Sequence, residues 1–172
     1  ISIMKITEKL DSGPVMKKIS IKINETDSSG DISNNLSKIS SDNIITSLDE
    51  IFKKNAKFIE QEHKEATYAE KILKDESRID WNYPSKIILA KINSLNPNPG
   101  AWFKFKNFRF KIWKAEISEQ IGKPGEILDK NFTIGCKDKS LKILEIQKEG
   151  KKRLSIDKFL KGSNINSGEV IN

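Results

Sequence analysis

A single cysteine, a single histidine and five prolines in 172 residues leave little material for several common chemistries. With Cys136 alone, neither an intrachain disulfide nor a multi-cysteine metal centre can be built, and a reducing compartment is the natural setting. Cys136 reads as a small buried strand residue. His63 stands apart from any cluster of acids or cysteines, so it reads as a solvated side chain and no metal site is expected. There is no glycine loop of the Walker or dinucleotide-binding type and no internal repeat, which removes those nucleotide-binding classes. No apolar run approaches the ~20 residues that cross a bilayer, and the opening ISIMKITEKL lacks the sections of a signal peptide. The expectation is a cytoplasmic chain without a membrane partner.

What is present is charge, unevenly placed. Charged residues make up 32% and apolar residues 36%, which suits one ordinary domain or two small ones. Residues 1–99 hold 15 Lys/Arg and 15 Asp/Glu, whereas residues 100–172 hold 16 and 9, so the whole excess of +7 follows Gly100. A basic segment joined to a neutral one points to a polyanionic partner for the second half, and without an amphipathic basic helix nucleic acid is favoured over a membrane surface.

Along the chain, ISIMKI reads as a strand. VMKKISIKI at 15–23 reads as another, because Ile19, Ile21 and Ile23 alternate with Ser20 and Lys22. Asp11, Ser12, Gly13 and Pro14 form a tight turn between them. Ile32, Leu36 and Ile39, then Ile44, Leu48, Ile51 and Phe52, fall at helical spacing, divided near Ser40 and Ser41 into two helices. Two strands and such helices cannot bury a core alone. The polar stretch that follows reads as a linker with a short helix near its end, on which Lys71, Lys74 and Arg78 share a face.

A second helix is expected from Asn82 as cap and Pro84 in its first turn, with Ile88, Ile92 and Leu95 on one stripe. Strands then dominate. Phe103 and Phe105 alternate with Trp102, Lys104 and Lys106; Lys106 and Asn107 make a hairpin turn; Phe108, Phe110 and Ile112 alternate with Arg109, Lys111 and Trp113. Further strands are expected at GEILD, FTIGC and LKILEIQ, the last two joined by Lys137, Asp138 and Lys139. Ser155 should cap a short helix carrying Ile156, Phe159 and Leu160, Gly162 should stop it, and the tail from Ser163 should fray. Short strands with a leading and a closing helix describe a small barrel of the oligonucleotide-binding kind. Trp81 reads as packing, and Trp102 and Trp113 as core or rim.

RIDW at 78–81, LNPNPGAW at 95–102, FKIWKAEI, PGEIL at 124–128 and GKKRLSIDKFLKG resemble, in order and spacing, the second domain of methionyl-tRNA formyltransferases. ATYAEKILKDESRIDW is similar to that family's interdomain segment, and LDSG at 10–13 to the turn closing its folate-dependent site. The resemblance implies an α/β piece, the C-terminal strands and helix of a Rossmann-like formyltransferase domain, at 1–57. An interdomain linker follows at 58–78, then a small OB-like β-barrel with short helices at 79–172. It implies transfer of a formyl group from 10-formyltetrahydrofolate to the amine of initiator methionyl-tRNA by a monomer. Asp11 is then the matching catalytic carboxylate, and the turn from Glu8 through Lys9 and Leu10 to Asp11 lines the folate. The family's neighbouring catalytic Asn and His have no counterpart in these residues, so the chain alone is expected to be inactive.

The transfer needs an unprotonated amine, a polarised formyl carbonyl and a route for the proton lost, to which an orienting carboxylate is suited. Without the resemblance, an Asp before Ser–Gly is ordinarily a turn residue. Lys104, Lys106, Arg109, Lys111 and Lys114 on a strand face, with Lys151, Lys152 and Arg153 as a second cluster, suit the phosphates of tRNA; a wet sheet face is the plainer alternative. Two other functions remain open at this point. One is a formyltransferase for an amino sugar nucleotide, and the other is an RNA-binding module with no active site.

Overall fold

Residues 1–171 are described by the computed structural model and fall into two units, 1–24 with 31–71, and 25–30 with 72 onward. The segment expected as linker is shared between them, passing from one to the other after Lys71.

In the first unit, β1 (Ser2–Met4) and β2 (Val15–Lys18) pair antiparallel, and Ile59 adds two backbone hydrogen bonds to Val15, at 2.8 and 2.9 Å. The strand expected over 15–23 stops at Lys18. Beyond Ile19, whose N–H reaches the Ile1 carbonyl, no neighbouring strand among the described residues is there to satisfy a ladder, and Ile23 is 63% exposed. The two helices expected around Ser40 and Ser41 are one, α1 (Ser29–Phe52), which belongs to this unit from Asp31 on. Serines and asparagines often compete with helix hydrogen bonding. Here Ser40, Ser41 and Asn43 instead donate to the carbonyls of Leu36, Lys38 and Ile39 at 2.7–2.8 Å, so the helix runs on. Val15 is the one buried apolar side chain among the described residues of this unit, as two strands and a helix would predict.

The short helix expected near residue 75 is a single 3₁₀ turn, Asp75–Ser77. It is too short to give Lys71, Lys74 and Arg78 a common face: Lys71 precedes it in irregular chain, Lys74 stands at its start and Arg78 follows it. Isolated short helices are marginal in water, and nothing apolar here is periodic enough to dock one.

The second unit is built on an antiparallel sheet in the order β3-β4-β6-β5, with β7 also on β6. Its strands are β3 (Ala101–Phe105), β4 (Phe108–Ser118), β5 (Thr133–Gly135), β6 (Ser140–Lys148) and β7 (Leu154–Ser155). The helices α2 (Ser85–Ser94) and α3 (Ile156–Leu160) contribute to the same core, which gives an OB-like half-barrel. The β3–β4 hairpin turns at Lys106 and Asn107, whose φ values of 47° and 66° are those of a two-residue turn matched to strand twist. Ala101, Phe103, Phe105, Phe110 and Ile112 then face one core with Ile88, Ile92, Phe132, Leu141, Ile143 and Ile146. Trp81 packs there too, edge-on to Phe103 at 5.9 Å.

Several expectations are corrected by long-range partners. Asn82 does not cap α2; it bonds with Asp80, while the Ser85 N–H is met at 2.7 Å by the Asp138 carboxylate. That bond and the Lys139 amide hold the Asp138 carboxyl below its ordinary pKa. GEILD is not a full strand but supplies two bridges, Glu126 to Val170 and Ile127 to Ile134. The tail does not fray: Ile127 donates to Glu169, Gly168 to Ile127 and Ile171 to Gly125, and Ile171 is buried. Ser155 occupies the N-cap of α3 without a side-chain bond, and β7, which no alternation in the sequence announces, precedes it. Cys136 lies just past β5, and burial foremost pushes its thiol up to about 12, so it is inert.

Asp129 organises the turn into β5. Its carboxylate accepts from the Asn131 and Thr133 amides and the Thr133 hydroxyl at 2.8–3.1 Å. Partial burial raises its pKa, but these bonds and Gln120 together outweigh that and leave it lowered. Asp129→Ala strands the buried Thr133 hydroxyl and is expected to cost ~1–2 kcal/mol. A lowered folded pKa means that this contribution is full above the unfolded value of about 4 and is lost as pH falls through the folded one. Melting curves of the two proteins should therefore converge in acid, and a gap independent of pH would refute the assignment.

Candidate functional site

In the first unit the candidate site is the turn between β1 and β2. Gly13 is required there, because a Cβ would stand 1.9 Å from the Lys5 carbonyl oxygen. Asp11 adopts φ 51°, a left-handed conformation that Asp tolerates better than most residues. The turn is tied internally by Ser12 donating to the Lys9 carbonyl at 2.9 Å and externally by Gln61, whose amide donates to Asp11 and Gly13 carbonyls at 2.9 and 2.8 Å. A cleft of about 1230 Å³ opens beside it, lined among others by Lys9, Leu10, Asp11, Met16, His63 and Tyr68. Glu8 is exposed and does not line it. The solvent-exposed His63 and Tyr68 were not singled out by sequence as cleft residues; only the Val15–Ile59 bridge and the Gln61 bonds bring their segment to the turn.

In the second unit the charge excess has a definite address. Register places Lys104 opposite Arg109 and Trp102 opposite Lys111, so these four side chains share the face of β3–β4 away from the core. A register irregularity against β6 follows Ile112, and Lys114 resumes the pairing opposite Glu145. This bulge lets Trp113 and Lys114 both leave the core side, whereas strict alternation would turn Lys114 inward. Arg109 and Arg78 lie over the Trp102 ring at 4.0 and 5.9 Å, and Lys111 and Arg153 over the Trp113 ring at 5.5 and 5.3 Å. The side chains of Lys104, Lys114, Lys151 and Lys152 make no ion pair among the described residues.

Other basic groups are neutralised. Lys106 is drawn off the face by Glu169 at 2.6 Å, and this contact is the first cause holding the Glu169 carboxyl below its ordinary pKa. Arg153 pairs with Glu145, Lys142 with Glu116 and Lys139 with Glu119. Lys71 lies in the first unit. Among the described residues no group of three or more His, Cys, Asp and Glu side chains could hold a metal, and no helix is long and apolar enough to cross a membrane.

Residues 71–164 match the family model described as formyl transferase, C-terminal domain. The chain belongs to the formyltransferase family. Along its whole length this formyltransferase chain is also homologous to methionyl-tRNA formyltransferases. It is 46% identical to that of Pelagibacter ubique over 99% of the chain and 56% of the relative, and 34% identical to that of Bradyrhizobium diazoefficiens over 98% and 55%. It therefore spans about half the length of the curated relatives it matches, corresponding to their C-terminal region. Among solved structures, a variant of HypX from Aquifex aeolicus superposes with a TM-score of 0.73 at 22% identity, over 96% of the chain and 31% of that protein, which shows a shared fold.

Proposed function

We propose that this formyltransferase chain serves formyl transfer from 10-formyltetrahydrofolate to the amino group of initiator methionyl-tRNA in the cytoplasm, with Asp11 on the folate-dependent site and the β3–β4 face holding the tRNA. The observation that carries the tRNA assignment is the uncompensated cation face: Lys104, Arg109, Lys111 and Lys114 lie on one side of the sheet without a carboxylate partner among the described residues, whereas Lys106, Lys139 and Lys142 are paired with acids. Such a face gives affinity for phosphates without reading bases, as holding the body of a tRNA requires. Arg78, Lys151 and Lys152 extend it, Lys71 and Lys74 belong to the segment leading to it, Arg153 enters it with Glu145 as partner, and Lys106 is drawn off it by Glu169.

The homology to methionyl-tRNA formyltransferases and the basic face favour tRNA over an amino sugar nucleotide as acceptor. In this reading Lys9, Leu10 and Asp11 border the folate, Glu8 precedes them, and Asp11 orients a proton acceptor as the tetrahedral intermediate forms. Transfer also draws on the part of the relatives' length that this chain does not span. Asp11→Asn in the full-length protein is expected to lower formyl transfer by about 10²-fold or more while leaving tRNA affinity nearly unchanged. The assay is formylation of charged initiator tRNA beside an amino sugar nucleotide. Preference for the sugar, or full activity of the Asn variant, would overturn the proposal.

A further inference from the structure

Trp102 and Trp113 are 7% and 8% exposed, yet neither belongs to the hydrophobic core in which Phe103, Phe110 and Ile112 take part. Cations contribute to covering them. Trp102 carries Arg109 at 4.0 Å and Arg78 at 5.9 Å; Trp113 carries Lys111 at 5.5 Å and Arg153 at 5.3 Å, all within the ~6 Å over which an indole face attracts positive charge. Each ring is itself fixed. Trp102 donates through Nε1 to the Lys74 carbonyl at 3.4 Å, and Trp113 to Gln147 Oε1 at 3.0 Å. The Trp113 ring passes so close to Gly100 that a Cβ there would lie 2.7 Å from Cη2.

The kind of partner matters. A carboxylate that holds a lysine also cancels its charge, as Glu169 does for Lys106 and Glu116 for Lys142. An indole holds the cation through its quadrupole and leaves the charge available. Arg78, Arg109 and Lys111 make no salt bridge among the described residues, and Arg153 alone of the four shares its charge with an acid, Glu145. A long basic side chain loses rotamer freedom when it meets a phosphate, and one already held against a fixed ring loses less. Register links the two rings, since Trp102 lies opposite Lys111, which in turn covers Trp113.

We propose that Trp102 and Trp113 are positioning residues of the RNA face, the Trp102 indole holding Arg78 and Arg109 and the Trp113 indole holding Lys111 in place, uncompensated by an acid, for phosphate. This rests on the reading of the β3–β4 face as the tRNA surface. The test is binding of a deacylated initiator tRNA transcript to the chain and its Trp102→Leu, Trp102→Phe, Trp113→Leu, Trp113→Phe and Arg109→Ala variants, at low and moderate salt, with unfolding midpoints measured alongside. The leucine variants are expected to bind up to about tenfold more weakly, with the larger loss at Trp102, where two uncompensated cations are loosened, and with a shallower salt dependence. The phenylalanine variants, which keep an aromatic face, should stay within about threefold of wild type.

Leucine variants that bind as tightly as wild type while Arg109→Ala binds weakly would overturn the positioning role and leave the tRNA surface standing. Arg109→Ala binding unchanged, with affinity insensitive to salt, would remove the tRNA surface itself and the positioning role with it. If a leucine variant fails to fold, two readings still decide. Phenylalanine variants as weak as Arg109→Ala overturn the role, and so does indole emission of the wild type that does not change when tRNA saturates it.

Discussion

Phe103→Ala is expected to destabilise the second unit by about 3–5 kcal/mol, the usual cost of emptying a large aromatic site in a core that cannot collapse around it. Phe103 has no exposed surface and sits between two other rings, stacked on Phe110 at 5.5 Å and edge-on to Trp81 at 5.9 Å. Its removal therefore forfeits both aromatic pairings as well as the buried area, each pairing being worth ~0.5–1.5 kcal/mol. For a unit of this size the unfolding midpoint should fall by roughly 15 °C or more. Phe108→Ala is the matched control. Phe108 opens β4 on the same hairpin but is 44% exposed, its ring covered on one side by Lys148 at 3.3 Å, and its loss should move the midpoint by only a few degrees. Thermal melts followed by circular dichroism would separate the two, and equal losses would show that the core is not centred on Phe103.

The contrast between these two phenylalanines was legible in part. Period-two alternation put Phe103, Phe105, Phe110 and Ile112 on one side of a hairpin turning at Lys106 and Asn107, and all four are in the core. Alternation also put Phe108 there, where the hairpin end leaves it half open. What could not be read were contacts closed by residues far away in sequence. The cap of α2 comes from Asp138, beyond three strands, so the nearer Asn82 looked the better candidate. The tail is held by backbone bonds to 125–127, none of which leaves a side-chain pattern. In the first unit, the alternation at Ile19, Ile21 and Ile23 was genuine, but a strand exists only where another strand pairs with it.

The candidate sites divide in the same way. The turn at LDSG was legible as a turn from Ser12, Gly13 and Pro14, and the resemblance to formyltransferases supplied its meaning. That His63 and Tyr68 border the same cleft depends on the bridge from Val15 to Ile59. On the basic face, parity placed Trp102 beside Lys104 and Trp113 beside Lys111 on the outer side. The sequence was silent on which lysines would meet acids, because Glu169 and Glu116 reach Lys106 and Lys142 only through the fold. Composition therefore established how much positive charge the second half carries, and topology decided how much of it stays uncompensated.

That difference predicts a large and specific salt effect. Replacing Lys104, Arg109 and Lys111 together by alanine should reduce the slope of log affinity for tRNA against log salt by about 2.7, at ~0.9 for each phosphate left without its cation. Raising salt fourfold would then weaken the triple variant about fortyfold less than wild type, and the variant would bind far more weakly at the lower salt. Replacing Lys106, Lys139 and Lys142 by alanine removes the same number of charges from the chain, but each of these is held by a carboxylate, Glu169, Glu119 and Glu116. Long-range attraction depends on net charge and so falls alike in both triples, whereas local neutralisation of phosphate disappears only in the first. Binding isotherms at several salt concentrations should give a shallow slope for the first triple and a nearly wild-type slope for the second. Equal slopes for the two would mean that tRNA responds to the overall charge of the domain, and the outer face of β3–β4 would lose its claim to be the contact surface.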